Sequence, residues 1–129
     1  MSEDVNQLLE NWENVYKKGL LTFWLLLLLD EKPHYPYEMD EAVWQISQGT
    51  VAADSNSIYR ALSRFETMGI VTGQLQESSS GPSRKYYRLT ETGKELLGRF
   101  VERNILVFEN PEVAERIDQI LQNGGKNGA

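Results

Sequence analysis

The clearest constraint on this chain is a change of apolar spacing between residues 70 and 89. IVTGQLQ (70–76) and RKYYRL (84–89) both read as strands, and the polar stretch ESSSGPS separates them. That pattern predicts a hairpin with a loose tip. On both sides of it the apolar residues return to helical spacing. The chain is therefore expected to be mainly α, with one small β element (α+β).

Before the hairpin, residues 5–29 read as helix. Leu8, Leu9, Trp12, Val15 and Tyr16 recur three and four residues apart, while Lys17, Lys18 and Gly19 mark a bend or a stop. Pro33 sets the boundary near Lys32. A second helix is expected over about 36–47, with Met39, Val43 and Ile46 on one side and Gly49 ending it. Residues 50–53 are a small strand or a loop. The cluster Asp54-Ser55-Asn56-Ser57 offers N-caps to a third helix that turns Ile58, Ala61, Leu62 and Phe65 inward and stops at Met68-Gly69. After the hairpin, Thr90–Thr92 cap a fourth helix carrying Leu96, Leu97, Phe100, Val101 and Ile105. Asn110-Pro111 opens a last one, with Val113, Ile117, Ile120 and Leu121 on one side. Residues 123–129 are expected to be a flexible tail.

Three helices and then a two-stranded hairpin is the layout of a winged helix-turn-helix. In it the third helix enters the DNA major groove and the hairpin touches the flanking backbone. The amphipathic stretches 5–16 and 94–108 are too short to form a core alone, so extra N- and C-terminal helices are expected to serve dimerisation. The expected organisation is an N-terminal extension over 1–18, a winged domain over 19–92 and dimerisation helices over 93–122.

Several function classes drop out. There is no cysteine and one histidine, His34, so no metal site is expected and no cofactor either. The absence of thiols suits a reducing cytoplasm. The apolar run LLTFWLLLLL (20–29) is half the length of a membrane-spanning helix, which needs roughly 20 residues. No phosphate-binding glycine loop and no nucleophile–base pair is present, so no enzyme is expected.

Charge is distributed unevenly. The chain has a net charge of -6, yet residues 55–90 carry five Lys/Arg against two Asp/Glu, a net of +3. Residues 1–54 sum to -7 and residues 91–129 to -2. Bulk acidity opposes non-specific attraction to a polyanion, but within a Debye length of ~8 Å local charge dominates. The expectation is specific DNA binding with a shallow salt dependence.

Ser55, Asn56, Ser57, Tyr59, Arg60, Ser63 and Arg64 fall on the outward side of the third helix. Arg60 and Arg64 stand one turn apart and can grip guanine edges or phosphates. In the wing, alternation puts Arg84, Tyr86 and Arg88 on one face and Lys85, Tyr87 and Leu89 on the other, with Lys85 able to swing outward on its long stem. Leaving out Tyr87 and Leu89, the other eleven of these positions are the candidate DNA contacts. His34 and Tyr37 are read as structural. Trp12, Trp24 and Trp44 are read as core or dimer contacts, or as the lining of a ligand pocket.

Four stretches together resemble the PadR family of transcriptional regulators. HYPYEM (34–39) resembles that family's His-Gly-Tyr-Glu box, with Pro36 where glycine is usual. SNSIYRALSRFETMGIV (55–71) resembles its recognition helix, GPSRKYYRLTETGKELL (81–97) its wing, and the run at 20–29 the opening of its domain. The resemblance implies a homodimer on double-stranded DNA, at an inverted-repeat operator, acting as a repressor by covering a promoter. A small-molecule effector is known in some relatives. The short chain and its N-terminal extension are also similar to PadR-like repressors of circadian-clock genes. A winged helix kept only for protein–protein contact is the alternative from another class.

Overall fold

A computed structural model describes residues 2–78 and 81–125. Its elements run α1 (Ser2–Glu31), α2 (Pro36–Ile46), α3 (Ser55–Thr67), β1 (Val71–Ser78), β2 (Gly81–Leu89), α4 (Glu91–Asn104) and α5 (Pro111–Ile120), with a 3-10 turn at Leu106–Glu109 and a π-helical turn at Leu121–Gly125. The chain forms two compact units, residues 1–94 and 95–129.

The first unit is the winged domain. α1 is one uninterrupted helix through Lys17, Lys18 and Gly19, where the sequence predicts a bend or a stop. Nothing in that triplet removes a backbone donor, and a single glycine weakens a helix by only ~1 kcal/mol. The two halves of α1 differ in burial. Leu25, Leu26, Leu28 and Leu29 are core, whereas Leu8, Leu9, Trp12, Val15 and Tyr16 are exposed. α2 packs on α1 and α3, β1 on α3 and β2 on α1. Met39, Val43, Ile58, Ala61, Leu62, Phe65, Val71, Tyr87 and Leu89 join the core, as their spacing requires, together with Val51 and Ile70. Trp12 and Trp44 are exposed, so neither belongs to it.

The caps explain the boundaries. Pro36 opens α2, and the backbone N–H of Tyr35 donates to Glu38 Oε1 at 3.4 Å. Asp54 caps α3 by accepting from the Ser57 N–H at 2.8 Å. Ser55 and Asn56 therefore lie inside the helix and are not its caps. Residues 50–53 form a loop, not a strand.

β1 and β2 pair antiparallel, Val71 with Leu89 and Gln76 with Arg84, and the register is irregular between Gln76 and Ser78. The strands are longer than the sequence pattern shows. The hairpin tip at 79–80 and the tail from 126 lie outside the described residues, while 123–125 continue as helix. His34 joins the far edge of β2. Its N–H donates to Tyr87 O at 3.0 Å and its O accepts from Tyr87 N at 2.8 Å. The buried imidazole bonds Lys32 O through Nδ1 at 2.8 Å. A carbonyl can only accept, so Nδ1 carries the proton. His34 is thus a structural staple between the α1–α2 link and the wing.

The second unit contains the rest of α4, the 3-10 turn and α5. Asn110 Oδ1 accepts from the Glu112 N–H at 2.9 Å and caps α5 ahead of Pro111. Ile117, Ile120 and Leu121 are exposed.

Candidate nucleic-acid interface

α3 turns Ile58, Ala61, Leu62 and Phe65 into the core, and the same periodicity forces Tyr59, Arg60, Ser63 and Arg64 outward. Asn56 is also exposed, while Ser55 and Ser57 are half-buried. Ser57 is committed locally, its hydroxyl donating to Asp54 Oδ2 at 3.1 Å. These two bonds, backbone first, hold the Asp54 carboxyl below the ordinary carboxylate value, and the charge of Arg60 adds to the effect.

On the wing, register places Arg84, Tyr86 and Arg88 on one face beside Gln76, Gln74 and Thr72. The Arg84 guanidinium sits over the Tyr35 ring, 4.6 Å from its centroid, and the Tyr86 ring meets Tyr35 edge-on at 5.2 Å. A planar cation stacked this way loses little further freedom when it binds an anion. The opposite face behaves differently. Lys85 does not swing outward: its Nζ donates to Glu66 Oε1 at 3.0 Å and lies 5.2 Å from the Tyr87 ring centroid. The bond to Glu66 raises the Lys85 pKa above its ordinary value.

Among the described residues, Arg60, Arg64, Arg84 and Arg88 enter no ion pair, so four of the five cations in the basic segment remain available. A groove of about 430 Å³ lies between α2, α3 and the wing, lined by Tyr35, Pro36, Tyr37, Tyr59, Arg84 and Lys85 among others. Tyr35 and Tyr37 were not legible as part of this surface, because nothing in their local spacing couples them to the wing. Among the described residues no cluster could hold a metal ion, and no helix is long and apolar enough to cross a membrane.

A family model described as the PadR-like family of transcriptional regulators matches residues 25–99. An uncharacterized protein of Lysinibacillus sphaericus is 30% identical over 105 residues, covering 81% of this chain and 91% of its own length. Among solved structures, a PadR family transcriptional regulator of Eggerthella lenta aligns with a TM-score of 0.67 at 21% identity, covering 95% of this chain and 99% of its own. A PadR-like transcriptional regulator of Bacillus cereus aligns at 0.62 with 29% identity, over 82% and 95% of the two chains. Bacillus subtilis PadR, solved in complex with operator DNA, aligns at 0.61 with 22% identity, over 66% and 48%.

Proposed function

This chain belongs to the PadR-like family of transcriptional regulators, and from that premise we propose that it is a dimeric repressor that binds an inverted-repeat operator and covers a promoter. The observation that carries the reading is the set of arginines without ion pairs, Arg60 and Arg64 on α3 and Arg84 and Arg88 on the wing, in a chain of net charge -6. A surface that had abandoned DNA has no use for its cations there. The operator complex of the Bacillus subtilis neighbour supports DNA as the ligand. Arg60, with Tyr59 and Ser63 beside it, reads base edges; Arg84 and Arg88 hold phosphates.

The exposed stripe of Leu8, Leu9, Trp12, Val15 and Tyr16 supports dimerisation, since a contiguous apolar patch of this kind on a protein surface marks an interaction site. A two-fold dimer sets the two α3 helices one DNA turn, about 34 Å, apart. The narrowest form of the reading, repression of a circadian-clock gene, rests on the extension before the domain. A ligand-sensing form is favoured by one groove of about 420 Å³ lined by Leu9, Trp12, Tyr16, Leu20 and Trp24, where Trp24 Nε1 is buried without a hydrogen-bond partner.

The test is recovery of sheared genomic DNA by the purified protein at physiological salt, beside an Arg60→Ala/Arg84→Ala control. A few fragments enriched by the wild type and lost with the control support the reading. No enrichment by the wild type leaves a protein-interaction module or a form that needs an effector to bind.

A further inference from the structure

Lys85 looks like a DNA contact in the sequence, but three independent features of the structure place it elsewhere. The first is its partner. Glu66 lies in the last turn of α3, and the 3.0 Å bond joins the recognition helix directly to the wing. The second is its path. A Cβ at Gly73, on the neighbouring strand, would collide with Lys85 Cε and stand 3.2 Å from both Lys85 Cγ and Tyr87 Cε1. The lysine stem therefore lies directly over Gly73 of β1, where any added side chain would force it to shift. The third is its bed. The ammonium rests 5.2 Å from the Tyr87 ring centroid, and Tyr87 is itself buried and pinned by His34.

We propose that Lys85 is a positioning residue, a strut which crosses Gly73 to Glu66 and sets the spacing between the wing arginines and the recognition helix. The proposal rests on the DNA-binding reading above and gives one of its cations a different task. The ion pair is half-exposed, with side chains 41% and 38% accessible, so its worth lies in geometry more than in stability. Arg84 and Arg88 are on the same strand as Lys85, so any shift of the strut moves both relative to Arg60 and Arg64.

The experiment compares Lys85→Met, Glu66→Gln and the exchanged pair Glu66→Lys/Lys85→Glu with the wild type. Fluorescence anisotropy is read on a labelled genomic fragment recovered as above and on a mixed-sequence duplex, over a series of salt concentrations. A strut predicts that both single variants weaken binding to the recovered fragment by a similar factor, roughly 2- to 30-fold. The salt slope stays as in the wild type, and the exchanged pair regains affinity. A phosphate contact predicts the opposite on each count. Lys85→Met would shrink the slope by about 0.9, Glu66→Gln would tighten binding by freeing the lysine, and the exchanged pair would bind worst; any of these overturns the strut. If the wild type recovers no fragment and does not bind the mixed-sequence duplex, the DNA reading fails by itself. The strut is then judged by amide hydrogen exchange in β1 and β2, which must speed up in both single variants and slow again in the exchanged pair. Unchanged exchange in the single variants rejects it.

Discussion

Gly93 and Gly98 lie in the same helix, five residues apart, and the same substitution should have opposite effects at the two. An alanine at Gly98 meets no atom within 4 Å, so it gains helix propensity of up to about 1 kcal/mol. At Gly93 the added methyl runs into the Ile70 carbonyl oxygen, with the Ile70 carbon at 3.1 Å and Leu89 Cδ2 at 3.2 Å. The obstacle is backbone and cannot rotate away. Overpacking of this kind costs about 1–3 kcal/mol. The Ile70 oxygen also accepts from the Thr90 N–H at 3.1 Å, and the Gly93 N–H donates to Thr90 Oγ1 at 3.1 Å. Displacing α4 strains both bonds, each worth about 0.5–1.5 kcal/mol. After the propensity gain is set against these terms, Gly93→Ala should destabilise by about 1–3 kcal/mol, and Gly98→Ala should stabilise slightly. Urea unfolding followed by circular dichroism, at one fixed protein concentration because association shifts apparent stability, reads both. Wild-type or higher stability for Gly93→Ala would refute the argument that α4 needs glycine to sit on the start of β1.

Arg60→Ala should weaken binding to the recovered operator by roughly 5- to 150-fold and to mixed-sequence DNA far less; equal losses in a gel-shift titration would reduce Arg60 to a phosphate contact. Arg84→Ala should lower the magnitude of the salt slope by about 0.9 per phosphate lost, and an unchanged slope would take Arg84 off the DNA. Asp54 has a lowered pKa, so its contribution to capping α3 is complete above the ordinary carboxylate value of 3.8 and disappears as pH falls through the lower folded value. Asp54→Asn keeps a capping oxygen and should remove that part of the acid transition; an identical acid profile would show that the cap does not titrate. Trp12→Ala should shift the protein toward monomer, by about 30-fold or more in dimer affinity if Trp12 is central to the contact, as measured by analytical ultracentrifugation. An unchanged dimer would place the interface elsewhere.

Element order, the core face of α3, most of that of α2 (Ile46, expected beside Met39 and Val43, is exposed at the helix end) and the two faces of the wing were readable from the sequence, because spacing along a helix or strand is a property of local chain geometry. Ile58, Ala61, Leu62 and Phe65 had to share one side, and Arg60 and Arg64 were left on the other. The concentration of positive charge in residues 55–90 needed only counting. Spacing could not say which cations stay available, since that depends on how separate elements dock. Lys85 reaches Glu66 because α3 packs on β1, and its stem runs over Gly73 on the way. Arg84 finds Tyr35 only because His34 staples the α1–α2 link to β2. The apolar stripe of α1 could equally have been core. The structure leaves it open, because the winged domain fills its core with the second half of that helix and needs no more.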